Sequence, residues 1–233
     1  MYRLMVQEMA GMAHQADPTM RIQARSVIRD LMLGLIDLDH AISISPLVQH
    51  TLQQIEAYSS RLQLLRASTQ RTTPAALEDA AMPHLEPGSV LVVDYLQKLP
   101  VPDVPNLEER VYQAVEILKE MAIRNQVAVV ALSAASASGI GIDRLRMEHL
   151  RGSDALGHEC DVAIVLNNKA TATSDRHLKF DLSQHDEARR RAILSIEKNR
   201  RGEVDVHLDF RKDFANFRFD PNGTFMNEAL EGD

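Results

Sequence analysis

A single cysteine, Cys160, leaves nothing in the 233 residues for an internal disulfide. The fold must therefore rest on its core and its hydrogen bonds, and a reducing compartment is expected. Tryptophan is absent and aromatics make up 4% of the chain, too few for a platform on which successive bases stack. No apolar run approaches the roughly 18–20 residues of a membrane span. The opening MYRLMVQEMAGMAHQ has no basic head before an apolar block, so a cytoplasmic protein without a signal peptide or a membrane contact is expected. Lysine is missing altogether before Lys98, and none of the ten glycines is followed by lysine. The sequence thus lacks G-x-x-x-x-G-K-[ST], the loop whose amides and lysine hold nucleotide phosphates.

What is present is ordinary globular material, with 45% hydrophobic and 25% charged residues. The net charge of −7 argues against coating nucleic acid by charge alone. The average hides an asymmetry, because Arg144, Arg146, Arg151, Arg189, Arg190, Arg191, Lys198, Arg200 and Arg201 all lie in the second half. A local basic surface is therefore available. Taken singly, these residues read equally well as solvated surface charge.

Periodicity divides the chain. Residues 1–86 read as mostly helical, with apolar steps of three and four in MYRLMVQEMAGMA and MRIQARSVIRDLML. Asp17-Pro18 and Ser45-Pro46 supply a cap and a first-turn proline each, and TTPAALEDAAMPHL looks like a further capped helix. RLQLLRAS is short enough to be a strand. From Pro87-Gly88 the pattern becomes strand (SVLVVDYL), long amphipathic helix (LEERVYQAVEILKEMAIRN) and strand (VAVVALS). A loop rich in Ser, Ala and Gly follows, then the strands DVAIVLN, RAILSIE and VDVHLDF and a short NFRF. This predicts an α/β fold with parallel pairing at its centre and antiparallel hairpins at its end. The simplest organisation is one domain over 1–225, with an α/β core from 87 to 225 and a flexible tail at 226–233.

Two polar residues end the central strands. Asp94 closes VLVVD and Ser133 closes VAVVALS, at the carboxyl ends where parallel sheets receive ligands. An acid there can hold a metal ion or its water. It can equally cap the turn that follows. KNRRGE reads by itself as a basic hairpin turn.

Taken in order, VLVVDYLQKL, VYQAVEILKEMAIRN, VAVVALS, HLRGSDALGHECDVAIVLN and AILSIEKNRRGEVDVHLDFRKDFANFRF resemble the second half of the RecA-like motor domain of DnaB-type replicative helicases, over about residues 85 to 220. The resemblance implies a RecA-like sheet, mainly parallel and flanked by helices, whose N-terminal part is missing. It implies an ATP-dependent DNA helicase using ATP and Mg²⁺, with single-stranded DNA and a homo-oligomer, a hexamer or intact homologous subunits, as partners. Asp94 would be the Walker B acid acting on Mg²⁺ through water, with Ser133 beside the nucleotide. Arg200 would be an arginine finger and Lys198 its companion, both inserted into a neighbouring subunit's site. Lying two apart, they point the same way if the segment is extended. Arg144, Arg146 and Arg151 belong to the segment that would touch DNA backbone.

The sequence also departs from this family. Ala134 stands where the family has a polar sensor, usually glutamine. The phosphate loop and the water-polarising glutamate are not found, so little ATP turnover by the chain alone is expected. The alternatives are a non-catalytic RecA-like module supplying its finger in trans, and a RadA-like recombination ATPase. His149, His158, His177 and His185 are scattered through polar sequence and form no zinc-like set with Cys160.

Overall fold

The computed structural model describes residues 2–12, 17–173, 182–226 and 230. It divides the chain into two compact units, Met1–Leu65 with Lys212–Asp220, and Arg66–Arg211 with Pro221–Asp233.

Among the described residues, the first unit holds four α-helices: α1 (Tyr2–Met12), α2 (Pro18–Met32), α3 (Leu38–Ile44) and α4 (Pro46–Ser59). Their starts are written locally. Asp17 accepts the Thr19 N–H at 2.7 Å, Asp37 accepts that of His40 at 2.7 Å, and Ser45 accepts that of Val48 at 3.3 Å. Each bond satisfies one of the donors that a helix start leaves open, and proline follows two of these caps as expected. The helices bury Met5, Val6, Met9, Ala24, Ile28, Ala41, Val48 and Ile55 in one cluster. No strand forms at RLQLLRAS, where every residue from 61 to 68 is exposed. A short apolar run becomes a strand only where a partner strand takes its hydrogen bonds.

The second unit begins with α5 (Pro74–Ala81), capped by Thr73, and the glycine of Pro87-Gly88 turns with φ +90° into β1 (Val90–Val93). The long helix α6 (Leu107–Asn125) then carries the chain over to β2 (Ala128–Ala131), which pairs with β1 in parallel from Val90↔Ala128 to Val93↔Ala131. Val111, Ala114, Val115, Leu118 and Met121 form the buried stripe of α6, packed with Leu77, Val93, Leu96 and Leu99. Among the described residues, parallel pairing is confined to these two strands.

The larger sheet is antiparallel, with β3 (Val162–Asn168), β4 (Arg191–Asn199) and β5 (Val206–Asp213) as neighbours. β6 (Arg218–Phe219) and β7 (Thr224–Phe225) both pair with β5. Between β2 and β3 lies α7 (Ser153–Glu159), and α8 (Lys169–Ala172) and α9 (Leu182–Arg189) connect β3 to β4. Of the segment expected to be a tail, Met226 and Leu230 pack in a small cluster with Ala172 and Ile193. Leu230 there bridges to Thr173. Among the described residues, no helix is long and apolar enough to cross a membrane.

Candidate functional site

Asp94 lies directly beyond the carboxyl end of β1, and Ser133 lies two residues beyond that of β2, on the same edge of the parallel pair. The Leu132 N–H donates to Val93 O at 2.9 Å and the Leu96 N–H to Leu132 O at 2.9 Å, so the two strand exits are tied to each other. Asp94 is exposed, and the Asp94–Tyr95 peptide is cis. The chain then makes one tight turn, Leu96–Lys98, which buries Leu96 and Gln97 and leaves Lys98 outside, its ammonium 5.8 Å from the centre of the Tyr95 ring.

Gln97 was not singled out by the sequence, yet its buried amide joins three segments. Its Nε2 donates to Ser133 Oγ at 2.8 Å and to Arg151 O at 3.0 Å, and its Oε1 accepts the Ala134 N–H at 3.1 Å. A buried amide is tolerated where its bonding capacity is used. Here that use fixes the exit of β2 to the turn carrying Asp94. Ala134 itself offers only a methyl group.

The segment 136–149 is therefore a loop closed at its foot. The Arg151 N–H donates to Ala134 O at 3.0 Å and the Ser136 N–H to His149 O at 2.8 Å, with Ala135 bridged to Leu150. Of the three arginines expected to meet DNA, Arg144 is only 4% exposed, while Arg146 and Arg151 are half-buried. Three side chains hold the loop backbone between them. The amide of Asn167 on β3 accepts the Leu145 N–H and donates to Leu145 O, both at 2.8 Å. Glu197 on β4 accepts the Met147 N–H at 2.9 Å, and His149 Nδ1 accepts the Arg146 N–H at 2.9 Å. His149 is thus a backbone acceptor; among the described residues no group of three or more His, Cys, Asp or Glu could hold a metal ion. His177 lies outside the described residues.

Beside the foot of the loop, a cleft of about 370 Å³ opens between α6 and α7, lined by Glu108, Glu109, Tyr112, Glu148, Arg151 and Asp154 among others. Gly152 makes the close approach of these helices possible. A Cβ there would stand 2.3 Å from Val111 Cγ1, and its φ of +82° is a conformation that only glycine adopts without strain.

Lys198 and Arg200 leave the end of β4 in the same direction, as their two-residue spacing requires. Lys198 Nζ donates to Gly157 O at 2.5 Å and Arg200 Nη2 donates to His158 O, so both cations rest on the last carbonyls of α7. Open carbonyls at a helix end attract positive charge. Arg200 Nη1 also lies 3.3 Å from Asp161 Oδ1, and the other oxygen of that carboxylate takes Lys119 Nζ of α6 at 2.6 Å. The Lys119 hydrogen bond is the main reason that the Asp161 carboxyl is held below its ordinary range. Burial pushes the neighbouring Cys160 thiol up, against the opposing pull of the Lys198 and Arg200 charges.

Comparison with known proteins follows this geometry. A family model described as the DnaB-like helicase C terminal domain matches residues 84–219, the span over which the sequence motifs run in order. The solved structure of an ATPase domain superposes with a TM-score of 0.59 at 18% identity, covering 93% of this chain and 68% of that one. The structure of a DnaB-like replicative helicase, described with its interactions with primase, gives 0.57 at 19% identity, covering 90% of this chain and 45% of that one. The chain thus spans less than half the length of that helicase. Comparison with the curated proteins finds no match.

Proposed function

This chain belongs to the family of DnaB-like helicase C-terminal domains, and on that premise we propose that it works as part of an ATP-driven motor on single-stranded DNA. In this reading it brings the acid, the DNA loop and the finger, while the phosphate loop comes from elsewhere. The observation that carries the reading is the exposed Asp94 at the carboxyl end of a parallel strand, with Ser133 two residues beyond the end of its neighbour. An exposed carboxylate suits Mg²⁺, which keeps most of its waters and takes few protein ligands. Asp94 would hold the ion through water, and the ion would neutralise charge on the phosphates of ATP. Arg200, with Lys198, would act on the nucleotide of a neighbouring subunit, so the working form is an oligomer, a hexamer on the family pattern. A finger supplied in trans is worth on the order of 10³–10⁵ in rate. Arg146 and Arg151 would contact DNA phosphates without reading sequence. Arg144, being buried, would support the loop from beneath.

The test is an ATPase assay of the chain alone and mixed with a homologous helicase that contains a phosphate loop. Alone, the chain should turn over little ATP. In the mixture it should stimulate hydrolysis, and Arg200→Ala should abolish the stimulation. Mg²⁺-dependent turnover by the chain alone, lost in Asp94→Ala, would overturn the split-site reading. An unchanged mixture with wild type and Arg200→Ala would overturn the finger.

The methyl group of Ala134, where the family has a polar sensor, favours a second reading, a non-catalytic module whose own site is silent while its finger serves a partner. Asp94→Ala discriminates the two. Stimulation unaffected by that substitution supports the module, and stimulation lost with it supports the shared site.

A further inference from the structure

The loop between β2 and α7 carries Arg144, Arg146 and Arg151, and serine, alanine and glycine make up much of its first half. Such composition ordinarily gives a mobile linker. Here the backbone is pinned where the charge is. Leu145 lies between Arg144 and Arg146, and both of its backbone polar groups are taken by one side chain, the Asn167 amide, at 2.8 Å each. An amide that gives and receives with a single residue does what a neighbouring strand does, and so fixes that residue's orientation. Asn167 is itself held on β3, paired with Ile193 of β4, and is only 6% exposed. One residue beyond Arg146, the Met147 N–H is held by Glu197 of β4, so Arg146 is flanked by two pinned positions.

We propose that Asn167 is a positioning residue of the nucleic-acid loop, holding the backbone at Leu145, just before Arg146, in the conformation that meets a single-stranded DNA phosphate. The proposal rests on the DNA reading of this loop given above. Asn167 touches no DNA. It removes the ordering cost that a free loop would meet on binding, and preorganisation of this kind acts on affinity without adding a contact.

Affinity alone does not show whether the Arg146 contact is kept or lost; the salt dependence does. Each phosphate neutralised on a single strand contributes about −0.7 to the slope of log K against log salt. Binding of fluorescent oligo(dT) is measured across salt concentrations for wild type, Asn167→Ala, the near-isosteric Asn167→Leu, Glu197→Ala and Arg146→Ala. Hydrogen exchange at the Leu145 and Met147 amides and thermal melts are recorded for the same proteins. The Asn167 variants should lose about tenfold in affinity with the wild-type slope, and their Leu145 amide should exchange faster. Glu197→Ala should do the same at Met147, which keeps the idea testable if the Asn167 variants fold poorly. Arg146→Ala should lose affinity together with about 0.7 of slope.

Wild-type affinity in the Asn167 variants and in Glu197→Ala would overturn the proposal. A slope reduced in Asn167→Ala as in Arg146→Ala would also overturn it, because the Arg146 contact would then be lost outright rather than made at an added ordering cost. Unchanged exchange at Leu145 in the Asn167 variants would overturn the pin itself. Wild type failing to bind oligo(dT) at low salt would sink the DNA reading and this role with it, and the exchange data would then report only whether the pin exists.

Discussion

Lys198 and Arg200 are held by contacts that are easily broken. Arg200 and Asp161 have side chains 46% and 61% exposed, and exposed ion pairs contribute about 0–1 kcal/mol. On the proposed finger role, giving up this ion pair would therefore cost Arg200 little. Cys160 reports where the two cations are. The positive charges of Lys198 and Arg200 draw its pKa down, against the larger effect of burial, which draws it up. Removing either cation raises the thiol pKa further. Alkylation of Cys160 should be slow near neutral pH and slower still in Lys198→Ala and Arg200→Ala, with the rate curve displaced to higher pH. With one cysteine in the chain, a stopped-flow thiol assay reads it directly. A curve displaced to lower pH would show that the cations do not sit beside the thiol.

Glu78 gives a residue-level dependence of stability on pH. Arg124 Nη2 bonds both of its carboxylate oxygens, at 2.8 and 2.7 Å, and Asn125 Nδ2 donates to one of them at 2.9 Å. The hydrogen bonds from Arg124 and then Asn125 hold the carboxyl below its ordinary range. The folded pKa is thus lower than the unfolded one. The stabilisation is present above the ordinary glutamate value of about 4.3 and is lost as pH falls through the folded pKa. Because Arg124 is 59% exposed, the pair is worth at most about 1 kcal/mol. Glu78→Gln should lower Tm by a few degrees at pH 7, and the difference from wild type should shrink below about pH 4. A difference that grows on acidification would contradict this.

At the scale of elements, the helices were the most legible part. Proline after Asp17, Ser45 and Thr73 marked three starts, and the apolar stripe of LEERVYQAVEILKEMAIRN marked α6. The strands on either side of α6 were legible because parallel strands read as apolar runs. RLQLLRAS misled because apolarity without a partner is not a strand, and β7 was too short to show. Of the candidate site, the sequence showed only that Asp94 and Ser133 follow apolar strands, and the structure places them one and two residues past the strand ends. Gln97, Asn167 and Glu197 escaped because their meaning lies in partners 54, 22 and 50 residues away. The one clue was an amide inside an apolar run, DYLQKL. Gly152 was visible in LRGS, but the reason for it was not. It is the point where the start of α7 meets Val111 of α6. Gly152→Ala should lower Tm sharply through both the clash and the left-handed φ. Adding Val111→Ala should relieve the clash and leave the backbone strain, so the double variant should recover only in part relative to Val111→Ala alone. Full recovery would mean that the backbone conformation contributes nothing.

At the scale of the whole molecule, the parallel pair presents a problem that its own chain does not solve among the described residues. α6 covers one face of β1 and β2, with Leu91 and Val129 packed against its core. On the other face, Val90, Val92 and Val130 are 58%, 60% and 50% exposed, and Leu132 beyond the strand end is 45% exposed. Parallel strands are apolar on both sides because in folded proteins both sides are covered. An uncovered face of this kind drives association, at roughly 25 cal/mol for each Å² of apolar surface removed from water. The net charge of −7 opposes association only weakly at physiological salt, where exposed charges more than about 8 Å apart are screened. The purified chain should therefore self-associate with rising concentration and bind a hydrophobic dye. Val92→Thr combined with Val130→Thr should weaken both effects, because it removes apolar surface while keeping β-branched side chains on the strands. Sedimentation velocity over a hundredfold range of concentration is the measurement. A monomer throughout, with a sharp two-state melt and no dye uptake, would mean that this face is already satisfied within the chain.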